Sequence, residues 1–246
     1  MEIRRVAITG AGVMGSQIGQ VLAVGGLTVR LHDIRAEQLQ VAMHRIEHWR
    51  FGLRKGVERG KLTADQCAAA LGRITITTDL AVACRDADLV VEAVPEDIGL
   101  KVRVFREVDR LAPAHAVLTS NTAGLPVAAM AYATDRPQRV LGWHWFQPCA
   151  VMPLVELVVH DAVAPEARDT VVEVSVRCGK RPQVVHDQPM VWGFVGNRIN
   201  RAVREEAARI VAEGVATEEQ VDAIMRDGFR WMMGPFELMK GGSLKS

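Results

Sequence analysis

Residues 5–15 read Arg5-Val-Ala-Ile-Thr-Gly10-Ala-Gly12-Val13-Met14-Gly15, a short apolar run followed by three glycines in a G-x-G-x-x-G pattern. A helix-like segment over Gly15 to Leu22 comes next. Each glycine answers a different demand. Gly10 permits a tight turn, Gly12 lets the backbone approach a diphosphate, and Gly15 allows the helix to pack closely on the strand. Val13 and Met14 belong to the same turn, whose free N–H groups and helix dipole favour a phosphate anion. A lone glycine pattern is weak evidence, but this one follows the first strand and is answered by Asp33, at the end of the second apolar run, Leu27 to His32. Asp33 is placed to accept hydrogen bonds from an adenosine ribose, and its charge repels a 2′-phosphate. These residues predict a dinucleotide site that favours NAD over NADP, with Arg35 nearby as a cation that offsets part of the repulsion.

Outward from this stretch, runs rich in Val, Ile and Leu recur at Ile74 to Thr77, Leu89 to Val94 and Ala116 to Ser120, with helix-like segments between most of them. Strands that are apolar throughout are typical of parallel sheets covered on both faces, and the alternation implies right-handed crossovers. The prediction is an α/β protein with an N-terminal Rossmann-type doubly wound sheet. The charged segment Arg35 to Arg73 has helical spacing, a break near Gly56 to Gly60, and Thr63 as an N-cap answered by Gln66. It is expected to form a helical hairpin projecting from the sheet. After His186-Asp-Gln-Pro189 the pattern changes: Gly196 to Glu213 is periodic like a helix and stops at Gly214, and Thr217-Glu-Glu-Gln220 is a capping-box signature for another. The expected organisation is a dinucleotide-binding domain over residues 1–188, with the helical insertion at 35–73, and a small all-helical domain over 189–246. The terminal Gly241-Gly-Ser-Leu-Lys-Ser reads as a flexible tail.

At 246 residues there is room for one large domain and a small second one. The 30 basic and 29 acidic residues nearly cancel, which points away from nucleic acid and from an anionic membrane surface. The N-terminus passes from a polar start into a strand-like run with no apolar h-region, and no stretch approaches the roughly 20 apolar residues that span a bilayer. A cytoplasmic protein is expected. Cys67, Cys84, Cys149 and Cys178 are widely spaced with no C-x-x-C pair, which argues against a zinc knuckle and a thioredoxin-like couple. Free thiols are expected, no metal site, and no nucleophilic role for Cys149, which lacks an adjacent helper.

Further motifs stand in order along the chain: Val91-Glu-Ala93-Val-Pro-Glu96-Asp97 with Lys101, Ser120-Asn121-Thr122, His144-Trp-Phe-Gln147-Pro148, Pro153-Leu-Val-Glu156, Gly193-Phe-Val-Gly-Asn197-Arg198 and Gly234-Pro-Phe-Glu237. With them the chain resembles the 3-hydroxyacyl-CoA dehydrogenase family over residues 4–238. The resemblance implies an NAD-dependent oxidoreductase in which His144 takes the proton of a 3-hydroxyl and Glu156 orients the imidazole. Taken alone, a histidine beside Trp145 and Phe146 reads as a hydrogen-bonded core residue, and it is the match of its spacing to Glu156 with the family's that turns the reading. Glu156 is an acid in an apolar strand, and a buried carboxylate needs a partner. An imidazole titrating near neutrality can accept and return a proton, and a carboxylate beside it fixes its tautomer. The resemblance further implies that Asn197 hydrogen-bonds near the substrate carbonyl, and that Ala93, Glu96, Lys101 and Asn121 line the nicotinamide side of the cofactor pocket. It places the basic segment Arg50, Arg54, Lys55 and Arg59 near the phosphates of a CoA tail. Taken alone, these basic residues, interleaved with Glu47 and Glu58, read as a solvated helix face.

The chain departs from the family's usual pattern at Ala123, where a serine is common, and at Gln147, where an asparagine is common. Both positions neighbour the reacting oxygen in the family, so they are expected to bear on substrate choice. The alternatives are another thioester carrier, such as acyl carrier protein, a free hydroxy acid like those of the gulonate- and carnitine-oxidising relatives, or NAD binding with weak or lost catalysis. The helical domain is also short for the family, and a homodimer through its helices is expected because so small a piece would expose an apolar face.

Overall fold

The computed structural model of the protein describes residues 2–188 and 191–240. Pro189, at the expected domain boundary, and the tail expected over 241–246 lie outside the described residues. Arg5–Thr9 forms β1, buried in all but its first residue. The chain turns through Gly10 into α1 (Val13–Val24), which buries Gly15, Ile18, Gly19 and Leu22, and returns as β2 (Thr28–His32), parallel to β1 with Thr9 opposite His32. Next come α2 (Ala36–His48), α3 (Leu53–Glu58), α4 (Ala64–Gly72) and β3 (Ile74–Thr77). The following elements are α5 (Leu80–Cys84), β4 (Leu89–Glu92), α6 (Ile98–Leu111), β5 (Val117–Ser120) and α7 (Val127–Ala131). The sheet is completed by β6 (Val140–Trp145), β7 (Leu154–Val159) and β8 (Arg181–His186), with α8 (Pro165–Arg177) before the last strand.

The eight strands form one sheet ordered β3-β2-β1-β4-β5-β6-β7-β8. From β3 to β6 neighbouring strands run parallel. Stepping from β2 to one side of β1 and β4 to the other reverses the strand order at β1, which opens the crevice at the carboxyl ends of β1 and β4 where such sheets bind ligands. One apolar cluster, with Ile18, Leu22, Leu31, Trp143, Trp145 and Val171, packs α1, α2 and α8 on one face. Another, with Phe105, Val108, Leu118, Val127, Met130 and Val158, packs α5, α6 and α7 on the other. Burial on both faces explains why these strands are apolar throughout.

One expectation needs correction. Segment 35–73 is three helices, and they do not project from the sheet: α2 and α4 contact α1, and Leu39, Ala42, Ile46, Leu53, Cys67 and Ala70 join its core cluster. The break expected near Gly56 to Gly60 falls at Gly60 and not at Gly56. Gly56 is inside α3, where a Cβ would come within 3.1 Å of Leu62, so the glycine serves close packing. The chain turns instead at Trp49–Gly52 and at Gly60, whose φ of +66° suits glycine. The Thr63–Gln66 capping box is present at the start of α4. The doubly wound sheet is present as expected, and one strand pair in it, β6 and β7, is antiparallel. The loop 146–153 is too short for the crossover that a parallel neighbour requires.

The chain divides into compact units of residues 1–194 and 195–246. The second unit holds α9 (Val195–Ala212), α10 (Glu218–Phe229) and α11 (Pro235–Met239) around Ala207, Val221 and Phe236. Thr217 caps α10 as its capping box predicts, and the Asp222 carboxylate accepts from the Phe236 and Glu237 N–H groups at 2.9 and 3.1 Å, capping α11.

Candidate active site

The glycine turn lies at the crevice between β1 and β4. Gly10 has φ of +98°, and a Cβ on it would meet the Ala93 carbonyl oxygen at 2.5 Å, so this residue fixes how closely the turn and the end of β4 approach. A Cβ on Gly15 would meet the Gly10 carbonyl oxygen at 1.9 Å, while one on Gly12 would meet nothing within 4 Å. Gly10 and Gly15 are therefore required by the fold. Gly12 is bare toward open space at the start of α1, which is what the close approach of a diphosphate demands. Val13 is exposed there and Met14 half-buried. Asp33, just past β2, accepts from the Ala11 N–H at 3.0 Å through one oxygen and from the Arg35 N–H at 3.1 Å through the other. It thus holds the glycine turn. The residues present fit a dinucleotide.

At the ends of β4 and β5 stands a buried charge cluster that the sequence reading saw only in part. Lys101 is 1% exposed, and its ammonium donates to Glu92 at 2.7 Å and to the Val94 carbonyl at 3.1 Å, with Glu96 at 3.3 Å. Glu92 also accepts from the Ser120 hydroxyl at 2.6 Å and the Val94 N–H at 2.7 Å. Burial pushes the Glu92 carboxyl up from its ordinary range, while the Lys101 ammonium, the Ser120 hydroxyl and the Val94 N–H oppose that rise. Glu96 accepts from the Thr122 hydroxyl at 2.5 Å and the Ala123 N–H at 2.8 Å. Lys101 and Glu96 are thereby part of a clamp between the loops after β4 and β5. Glu92 and Thr122 were missed, although an acid ending the apolar run Leu89-Val-Val-Glu92 is the same signal that singled out Glu156. Asn121 leaves the end of β5 and accepts from the Trp145 N–H at 3.0 Å, tying this clamp to β6.

His144 and Glu156 are direct cross-strand partners on the antiparallel pair β6–β7. His144 is 5% exposed and Glu156 3%, and His144 Nδ1 lies 2.8 Å from Glu156 Oε2. With Nδ1–H donating to the carboxylate, Nε2 is the ring atom left to accept a proton. Phe146 and Phe194 flank the ring, at 4.6 and 5.8 Å between centroids. Gln147 is exposed on the loop that follows β6. Asn197 is half-buried in the first turn of α9, in the second unit. The basic segment has other partners: Arg54 donates to Glu47 at 2.6 Å and Lys55 to Glu58 at 2.7 Å. Arg50 and Arg59 lie 5.2 and 5.8 Å from the centre of the Phe51 ring.

A doubly wound sheet with this glycine turn, and a buried histidine–carboxylate pair beyond it, defines a nicotinamide-dependent oxidoreductase that moves a proton together with a hydride. Residues 5–188 match the family model described as 3-hydroxyacyl-CoA dehydrogenase, NAD binding domain, and residues 193–243 match that family's C-terminal domain. The chain belongs to the 3-hydroxyacyl-CoA dehydrogenase family, and NAD is its cofactor. It is 37% identical to a probable 3-hydroxybutyryl-CoA dehydrogenase of Bacillus subtilis, over 97% of this chain and 80% of that protein. It is 40% identical to the 3-hydroxyadipyl-CoA dehydrogenase of Escherichia coli, spanning 97% of itself and 49% of that longer chain. The crystal structure of M. tuberculosis FadB2 superposes with a TM-score of 0.90 at 38% identity, covering 97% of this chain and 82% of that one.

Proposed function

We propose that this chain interconverts a 3-hydroxyacyl thioester and its 3-keto form with His144 as the proton-transferring group. The observation that carries the reading is the buried His144–Glu156 pair, 2.8 Å apart and held in register across two strands. NAD, held at the glycine turn, would supply the acceptor for the hydride of carbon 3, and its reduced form the donor in the reverse direction. His144 Nε2 takes the hydroxyl proton as the carbonyl forms, and Glu156 stabilises the resulting imidazolium. Asn197 hydrogen-bonds near the substrate carbonyl. Ala93, Glu96, Lys101 and Asn121 hold the nicotinamide side, and Gly10, Gly12, Val13, Met14, Gly15 and Asp33 hold the adenosine diphosphate. CoA is the carrier proposed first, with Arg54 and Lys55 exchanging their carboxylate partners for its phosphates. Ala123 and Gln147 lie where the acyl group reacts and set substrate preference.

The test is NADH oxidation followed by absorbance, with acetoacetyl-CoA and with the same acyl group on an acyl carrier protein. Turnover with the CoA ester is expected. Turnover only on the carrier protein would move the proposal to that partner. Binding of NADH without turnover on either would overturn it, in favour of a small free hydroxy acid or a non-catalytic role.

The protein is proposed to act as a homodimer through its helical unit, in the cytoplasm, where its four free thiols would stay reduced. The exposed Ile199, Ile224, Phe229 and Met232 on or beside α9 and α10 support such an interface. Sedimentation at micromolar concentration is expected to report twice the chain mass, and a monomer there would refute the interface. Among the described residues no helix is long and apolar enough to cross a membrane.

A further inference from the structure

Lys180 stands immediately before β8, 7% exposed, and among the described residues none of its partners is a carboxylate. Its ammonium donates to the main-chain oxygens of Cys149 at 2.5 Å and Met152 at 2.9 Å, and lies 5.5 Å from the centre of the Trp145 ring. A buried cation without a counter-charge is costly, and burial lowers its pKa accordingly. Such a residue is a poor choice for filling space. These ammonium contacts fall on one short stretch, the end of β6 and the loop 146–153.

That loop joins the strand carrying His144 to the strand carrying Glu156. It is held from a second side as well. Gln17 belongs to α1, the helix that opens at the glycine turn, and its Oε1 accepts from the Cys149 N–H at 2.9 Å, with the side chain buried. Inside the loop the Val151 and Met152 N–H groups both donate to the Pro148 oxygen. The Cys149 and Met152 oxygens, which take no part in that turn, receive their donor from Lys180. Beyond its own turn and the Arg181 N–H that donates to the Pro153 oxygen at 2.7 Å at its far end, these are the ties on the middle of the loop, and short connections with few partners are where local opening begins.

We infer that Lys180 and Gln17 are positioning residues that strap the loop 146–153, fixing Gln147 and the His144–Glu156 pair in place relative to the dinucleotide turn. The inference rests on the reading of His144 and Glu156 given above. Neither Lys180 nor Gln17 acts on the reacting atoms. Both act through the backbone of the loop.

Cys149 reports on the loop directly. It is fully buried, and burial pushes its thiol up to about 12, with the Lys180 charge opposing the rise. In Lys180→Met the loss of that charge drives the thiol further up, so chemistry alone predicts slower alkylation. Faster alkylation therefore signals opening. The experiment is iodoacetamide labelling of the full chain, read by peptide mass spectrometry, for wild type, Lys180→Met and Gln17→Leu. Cys67 and Cys84, buried elsewhere in the same unit, are the reference.

Labelling of Cys149 is expected to rise about tenfold in Lys180→Met, and about threefold in Gln17→Leu, as expected for the loss of buried hydrogen bonds. Cys67 and Cys84 should keep their wild-type rates. NADH affinity should stay within about threefold, while kcat on the acyl thioester drops about tenfold as the reacting groups lose their fixed geometry. Unchanged Cys149 labelling in both variants overturns the strap. So does an equal rise at all three cysteines, which would mean general loss of stability. A wild-type kcat in a variant whose loop has opened overturns the positioning role. If Lys180→Met does not fold, Gln17→Leu decides by the same criteria. If the wild type itself turns over no acyl thioester, the proposed function fails, and the labelling still decides whether the strap exists.

Discussion

Replacing His144 by glutamine is expected to leave NADH affinity within a few fold of wild type and to lower kcat on acetoacetyl-CoA by about 10²–10⁴-fold, the usual contribution of a positioned acid–base group. Glutamine keeps much of the volume and a hydrogen-bonding amide beside Glu156, so β6 and β7 stay paired. It lacks a nitrogen that can accept a proton. NADH affinity should survive because His144 lies on β6, away from the glycine turn between β1 and α1. The measurement is initial rates beside a fluorescence titration of NADH. Loss of NADH binding in this variant would show that the reacting site has been misplaced.

The second large effect is a contrast between two glycines of one motif. Gly12→Ala is expected to melt like wild type, because an added Cβ would meet nothing within 4 Å, yet to lose NADH affinity by at least about tenfold as the methyl group occupies the diphosphate's approach. Gly15→Ala is expected to destabilise the whole unit, because its Cβ would meet the Gly10 oxygen at 1.9 Å and either helix or strand must move. Thermal melts and NADH titrations on the two variants separate these outcomes. Equal NADH affinity in Gly12→Ala and wild type would remove Gly12 from the cofactor site.

Much of this was legible in the chain. Strands over Arg5–Thr9 and Ile74–Thr77 appear with the bounds that their apolar runs predict, and in the first, burial on both faces leaves little room for other residues. Both Thr capping boxes form as read, because three residues determine them locally. The glycine turn and Asp33 stand together as expected, and the hydrogen bond from Ala11 N–H to Asp33 gives their pairing a structural reason as well.

Other features depend on groups far apart in sequence. Gly56 looks like a helix breaker until Leu62 is seen packed against it. Arg54 and Lys55 pair with the Glu47 and Glu58 already interleaved with them in the sequence, and the structure adds only which cation takes which acid. Lys101 finds its partners through the sheet, since Glu92 and Ser120 lie on β4 and β5 and come together only when those strands pair. Lys180 carries no local signal at all, since its partners are main-chain oxygens about thirty residues back in the sequence.

What the sequence by itself determined is the first five strands, the two capping boxes and the nucleotide turn, because apolar runs, caps and glycine requirements act over a few residues. What only the tertiary structure decided is which polar groups meet: the antiparallel return of β7 that sets Glu156 opposite His144, the clamp around Lys101, and the loop held by Lys180 and Gln17. Burial makes each of these groups seek a partner, and the sheet order supplies it.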